Sequence, residues 1–229
     1  MEDVEKIVQA YIDRRVEAEM LIAQVKTFFE KNKRLYPENQ LPVVHSIKAR
    51  TKDPEHLRKK LSRKDNPENP ITVENLFDRV TDLAGVRILH LYNDQFELIH
   101  NEIMGNINRG QWVLFESPVA NTWDPETKSY YEKLGLKTKI RETLYTSIHY
   151  VIKPNNSPNC MCCEIQVRTL FEEIWGEIDH AINYPVATES VACKEQLRVL
   201  AKLASTGSRL ADSIFRSYGE YIGNGSLSK

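Results

Sequence analysis

The sequence contains no run approaching about 18 uncharged apolar residues, so no segment reads as a membrane-spanning helix. Its opening stretch, MEDVEKIVQAYIDRR, is charged from the second residue and lacks an apolar signal core. These two absences predict a cytoplasmic protein with no membrane partner. An excess of charge of one sign is also missing. The chain carries 31 Lys+Arg against 32 Asp+Glu, a formal net charge of -1, which argues against a surface that is everywhere a polyanion-binding field. There are only four cysteines, Cys160, Cys162, Cys163 and Cys193, too few and too clustered for a disulfide framework. A four-thiolate zinc centre is disfavoured as well, because C-x-x-C spacing is absent and adjacent cysteines on a strand face opposite sides. Internal repeats and low-complexity segments are lacking. What is present is an ordinary globular composition, 41% apolar and 28% charged over 229 residues, ample for one domain with a continuous core.

Apolar spacing predicts one long helix from residue 2 to about 35, closed by Pro37 and Pro42. VVHSIKARTK (43–52) alternates and is rich in β-branched residues, so it reads as a strand. Asp53-Pro54 opens a short basic helix, and the polar DNPENP connection follows it. After a short helix around VENLFDRV come a strand at VRILHLY (86–92) and a helix capped by Asp94, with its stripe at Phe96, Ile99, Ile103 and Ile107. WVLFES reads as a strand. VANTWDPETKSYYEKLGLKTK reads as a long polar-aromatic connection in which Trp123, Tyr130 and Tyr131 belong either to a mobile loop or to ordinary loop packing. Strands at YTSIHYVI (145–152) and CMCCEIQVR (160–168) follow, separated by a turn from Pro154 to Pro158. The helix TLFEEIWGEIDHAINY stops at Pro185, and a last helix runs from about Ala192 to Tyr221 with a break expected at Gly207. This order predicts one mixed α/β (α+β) domain over 1–229: an N-terminal helix (1–36), a core with a central sheet (43–185) and a C-terminal helical extension (190–221).

Alternate residues of a strand share a face. Three strands therefore each present a polar row: Lys48, Arg50 and Lys52; Tyr145, Ser147 and His149; Glu164, Gln166 and Arg168. A solvated sheet face would explain such rows, but carboxylate, guanidinium, imidazole, amide and phenol together suit a phosphate-and-metal site. Residues 48–64 hold eight basic side chains, Lys60 among them, against Asp53 and Glu55, a local charge of +6 able to hold a triphosphate or a nucleic-acid backbone. In RVTDLAGVRI the Asp-Leu-Ala-Gly turn puts Asp82 at the sheet edge. With Glu164 on a neighbouring strand it could hold a magnesium ion bridging nucleotide phosphates.

RVTDLAGVRI, then YTSIHYVI, then CEIQVRTLFEEIWGEIDHAINY resemble the RelA/SpoT synthetase domain, the family that makes ppGpp and pppGpp. The resemblance spans about residues 43 to 185 and rests on R-x-K, D-L-x-G-x-R, Y-x-S-x-H, E-I-Q-x-R-T and W-x-E-I-D-H in that order. It implies a nucleotidyltransferase-like synthetase fold and transfer of the β,γ-pyrophosphate of ATP to the 3′-hydroxyl of GDP or GTP, with release of AMP. It assigns Arg50, Lys52 and Lys60 to ATP, with Arg87 nearby. It assigns Asp82 and Glu164 to Mg2+, Glu164 also to the general-base role, and Tyr145 to stacking on the acceptor guanine. His149 and Gln166 line the same pocket. Glu177 and His180 match the helix motif, with orienting and contact roles equally open. The length leaves no room for the hydrolase and regulatory domains of long members, so the expectation is a stand-alone small alarmone synthetase or the related toxin branch. Similar small synthetases are often homotetramers, and the amphipathic C-terminal helix offers a surface for that.

Two positions depart from the family pattern. His56 stands where serine is common, and Arg141-x-Thr143-x-Tyr145 replaces Lys-x-Asn-x-Tyr, which leaves the acceptor open while Arg141 keeps a charge for its phosphates. The rival readings are a toxin of the same fold acting on the tRNA 3′ end or an adenine nucleotide, against which the net charge weighs for tRNA, and a non-catalytic nucleotide-sensing module.

Overall fold

The computed structural model describes residues 4–38, 40–63, 68–155 and 161–225. Six strands form one mixed sheet in the order β1-β2-β6-β5-β3-β4: β1 Ser46–Thr51, β2 Ala84–His90, β3 Trp112–Thr122, β4 Lys137–Ile140, β5 Ser147–Pro154 and β6 Cys163–Thr169. β2 and β6 run parallel at its centre, and β1 and β5 flank them antiparallel. Val86 and Ile88, Ile148 and Ile152, and Ile165 and Val167 face one side and enter the main core. Helices α2 (Arg15–Glu30) and α5 (Gln95–Asn108) cover this side, and α1 (Val4–Asp13) packs on α3 (Pro54–Arg63) beside them. Against the opposite, polar side lie α7 (Leu170–Asn183), docked on β2 and β6, and α8 (Val191–Gly225), docked on α7. The short α4 (Leu76–Arg79) and α6 (Pro125–Lys133) complete the chain.

Several elements differ from the sequence reading. The N-terminal helix is two helices, broken at Arg14 (φ -106°, ψ 10°). Arg14 caps a tight turn, its amide donating to Tyr11 O, while its guanidinium pairs with Glu17 and lies over Phe77. The second helix ends at Glu30, before either proline. Asp94 is helical itself and makes no side-chain cap; its carboxylate instead accepts from Arg216. The stretch read as a connection contains α6, capped by Asp124 with Pro125 at its first position, and the edge strand β4. Tyr131 is therefore a core residue and Tyr130 donates to Asn93 O, while Trp123 packs with Trp175 and Tyr145. No break occurs at Gly207, because the missing side chain lets α8 pass close against the Phe171 ring. Part of the DNPENP connection, most of the Pro154–Pro158 turn, Lys64 and Cys160 lie outside the described residues. Cys162 and Cys163 are buried, their thiols directed to Phe77 O and Glu164 O.

A polar seam holds α8 in place. Ser205 and Arg209 donate to Asp124 at 2.7 and 2.8 Å, Ser208 meets Thr169 at 3.0 Å, and Asp212 accepts from Asn93 and from the Asp94 amide. Glu172 of α7 is buried near this seam. Burial, with the nearby Asp124 carboxylate adding to it and Arg168 opposing, pushes Glu172 up to about 8. Between pH 4.5 and about 8 the folded chain thus keeps a proton that the unfolded chain has released, so stability falls as pH rises. Glu172→Gln removes that dependence. We expect its stability relative to the native chain to be at least about 1 kcal/mol better at pH 8 than at pH 5 in urea unfolding.

Candidate active site

The polar rows come together because of strand register. Lys48 pairs with Arg87 and Arg50 with Gly85 across β1 and β2. Gly85 pairs with Glu164, and Arg87 with Gln166, across β2 and β6; Gln166 then pairs with His149 on β5. The row Lys48–Arg87–Gln166–His149 crosses four strands. Gly85, lacking a side chain, leaves the floor between Arg50 and Glu164 open, and a Cβ there would come to 3.7 Å of Arg50 O. Above the floor, α7 forms the opposite wall, and the cleft between them holds about 660 Å³.

Asp82 lies at the mouth of this cleft, just before β2, where the Lys52 and Lys60 ammonium groups each sit 2.6 Å from one of its carboxylate oxygens. Burial pushes the Asp82 carboxyl up, but the two lysines outweigh it and hold the group below its ordinary value. Tyr11 ties this corner down by donating to Lys52 O at 2.6 Å.

At the other end, Glu164 is half-buried, and both its oxygens are engaged: His149 Nδ1 at 3.0 Å and Gln166 Nε2 at 2.7 Å. Burial raises the Glu164 carboxyl, and these donors more than offset it, leaving an ionised group. An ionised carboxylate only accepts, so His149 donates to it from Nδ1, and Nε2 is in hydrogen-bond contact with Tyr145 OH at 3.1 Å. Tyr145 lies just ahead of β5, presented by Leu144 in the left-handed region (φ 61°). Arg168 approaches its ring, 5.4 Å from the centroid. Such strain on a non-glycine residue beside a cleft is characteristic of functional sites.

Gln166 Oε1 accepts from Arg168 at 3.1 Å and from Arg87 at 3.4 Å. The sequence reading passed over Glu173, which gathers these cations. Only 4% exposed, it takes Lys48 at 2.8 Å, Arg87 at 2.9 Å and Arg168 at 3.3 Å. Glu177 reaches Arg87 at 3.0 Å. Of the cations lining the cleft, Arg50 alone has no carboxylate partner among the described residues. Within the +6 segment Lys48, Lys52, Arg58 and Lys60 are paired with carboxylates, whereas Arg50, Lys59 and Arg63 have no carboxylate partner among the described residues. His180 stacks on Tyr184 (4.6 Å), and His56 meets the edge of the same ring. Arg141 lies one turn before Tyr145, held by Asn121 Oδ1 at 2.7 Å and outside the cleft lining. Ser147 is fully buried and donates to Val167 O.

Among the described residues no group of three His, Cys, Asp or Glu side chains could hold a metal on protein ligands alone. Asp82 and Glu164, two ionised hard-oxygen donors near one cleft, fit instead an ion bound through one or two carboxylates plus phosphates, as Mg2+ is.

The geometry agrees with the comparisons. The model of the region found in RelA / SpoT proteins matches residues 49–189, and the chain belongs to that family. Its fold is that of small alarmone synthetase 1 from Bacillus subtilis, with TM-score 0.71 and 19% identity over 92% of this chain and 98% of that one. The same enzyme bound to its product pppGpp gives 0.66 and 20%, covering 91% and 96% of the two chains. Bound to AMPCPP it gives 0.63 and 17%, covering 92% and 99%. A search of curated proteins by sequence returned no match. The six-stranded mixed sheet flanked by helices is the architecture the resemblance implied, and no helix among the described residues is long and apolar enough to cross a membrane.

Asp82→Asn would leave two ammonium groups without their anion. We expect a loss of about 1–3 kcal/mol at pH 7 by denaturant unfolding. Because the native carboxyl titrates below its ordinary 3.8, the contribution is present above that pH and fades as pH falls through the depressed value, so the two proteins should converge there.

Proposed function

We propose that the chain is an ATP:GTP/GDP 3′-pyrophosphotransferase that makes (p)ppGpp and releases AMP. The observation that carries this reading is one cleft joining a carboxylate flanked by two lysines, Asp82 with Lys52 and Lys60, to an ionised carboxylate held by an imidazole and an amide, Glu164 with His149 and Gln166. Family membership and the pppGpp and AMPCPP held by the Bacillus subtilis enzyme support it.

On this reading Arg50, Lys52, Lys60 and Arg87 bind the ATP phosphates, where fixed cations stabilise charge that spreads onto the migrating group. Tyr145 stacks on the acceptor base and Glu164 takes the proton of the 3′-hydroxyl; Arg141, held by Asn121 outside the cleft lining, reaches the acceptor phosphates only by leaving that bond. The 3′ oxygen forms a bond to the β-phosphorus as the bond from that phosphorus to the oxygen bridging to the α-phosphate breaks, and AMP leaves with the bridging oxygen. His149 and Gln166 fix the Glu164 carboxylate so that its proton-accepting oxygen faces the acceptor. Asp82 and Glu164 would hold Mg2+, which when bound neutralises phosphate oxygens. The formal net charge of -1 supports a nucleotide over a tRNA acceptor, since a tRNA would call for a broad basic surface.

The test is an acceptor survey with γ-labelled ATP and Mg2+, offering GDP, GTP, ADP, AMP and tRNA separately. Label should move to a guanine nucleotide with AMP released. Glu164→Gln should lower turnover at least about a hundredfold; near-native turnover would remove Glu164 from the base role. Transfer only to tRNA or an adenine nucleotide would move the chain to the toxin branch, and the absence of transfer would favour the sensing module.

The homo-oligomer expected of similar proteins is supported by an apolar stripe on α8, with Val199, Leu203, Leu210 and Ile214 each more than half exposed. Sedimentation should show an assembly that Leu203→Glu with Leu210→Glu reduces to monomers; a monomeric native chain would end this reading.

A further inference from the structure

Two carboxylates of α7 reach the same cations under very different conditions. Glu173 is sealed between helix and sheet, holds Lys48, Arg87 and Arg168 together, and cannot leave without stranding charge in a half-buried site. Glu177, one turn on, has a side chain 58% exposed. Its only ion-pair partners among the described residues are Arg87 at 3.0 Å and Lys48 at 3.8 Å. It lines the same cleft as those two cations.

The geometry points to Glu177 as an internal anion that occupies the place of a substrate phosphate and is displaced when a polyphosphate chain enters. This deepens, and rests on, the reading of the cleft as a nucleotide-phosphate site. The exchange is chemically balanced without a proton: a phosphate oxygen replaces a carboxylate oxygen on Arg87 and Lys48, and the carboxylate turns to water. An exposed pair is weak enough to yield to a multiply charged ligand. While in place it keeps Arg87 extended from the sheet and lowers the repulsion between Lys48 and Arg87, which face each other in register. It therefore works as a competitor whose removal improves binding, the opposite of what a substrate-contacting residue would do.

The experiment is a calorimetric titration with inorganic tripolyphosphate, without metal or nucleotide, of the native chain, Glu177→Gln and Asp179→Asn. Asp179 lines the same cleft on the same helix but is bonded to Asn183 at 2.8 Å instead of a cation. Its variant therefore measures the effect of removing one negative charge there. Glu177→Gln should bind about two- to fivefold more tightly than the native chain, the scale of an exposed ion pair, and Asp179→Asn should gain clearly less. Unchanged or weaker binding by Glu177→Gln, an equal gain in Asp179→Asn, or no binding by any of the three overturns the proposal. The titration needs no turnover, so failure of the acceptor survey and failure of this inference are read separately.

Discussion

Glu173 is the interaction on which the polar face of the sheet depends. Three cations, Lys48, Arg87 and Arg168, come from three adjacent strands and point to one side. Without a counter-charge they would repel one another beneath a helix that excludes much of the solvent. Burial works against the guanidinium of Arg168 and pulls its pKa down, and it works against the Glu173 carboxyl by raising it. Bringing the two signs together offsets both penalties, and Glu173 stays ionised. The chain of bonds from Gln166 to Tyr145 follows from that pairing. Arg87 and Arg168, fixed by Glu173, orient Gln166 through its carbonyl oxygen. Gln166 then has only its amide to offer Glu164, and Glu164 in turn holds His149 by Nδ1 and, through it, Tyr145.

The polar rows were legible because a strand's alternation is local: Glu164, Gln166 and Arg168 against Ile165 and Val167 needs only five consecutive positions to be read. The same holds for Asp82 ahead of Gly85, where the turn and the open floor are both written in four residues. Glu173 was not legible for the opposite reason. On its own helix it is one acidic residue among several, and its neighbour Glu172 differs from it by a single position. Only the crossing of α7 over β2 and β6 decides that one is bound by three cations while the other is buried and driven toward its neutral form. The missed α6 and β4 carried local signals, Asp124-Pro125 at the start and Gly135 (φ 79°) after the end. The density of polar and aromatic residues hid them, because Tyr131 looks like a loop aromatic until it is seen packed on Phe96.

The C-terminal helix shows the same division between what is local and what is not. Its apolar spacing announces a helix, yet beside Ala201 and Ala204 on Trp175 and Phe215 on Tyr92 it is attached by Ser205, Ser208, Arg209 and Asp212, bonded to Asp124, Thr169 and Asn93. Polar contacts make the attachment directional, since each needs its own partner, where an apolar face could slide. The larger side chains Val199, Leu203, Leu210 and Ile214 are left outside. Burying the polar seam inward while presenting the apolar stripe outward is unfavourable for an isolated helix in water and is relieved when another apolar surface covers the stripe.

On the proposed reading a near-neutral chain holds a polyphosphate, and the arrangement of its charges bears on how. Net charge governs long-range steering, but binding at contact depends on which cations can be released from their partners. Lys52 and Lys60 share one carboxylate between them, so the Asp82 cluster carries one positive charge beyond its own balance. Arg50 adds a second without a partner among the described residues. On the α7 side, Lys48, Arg87 and Arg168 face Glu173 and Glu177, while Glu164 and Asp179 also line the cleft, so six cations stand against five carboxylates. The cations themselves are spread along the cleft from Lys52 and Lys60 to Arg168, each but Arg50 held by an internal carboxylate. An extended anion can replace several of these internal carboxylates at once, whereas a compact one can replace only a part.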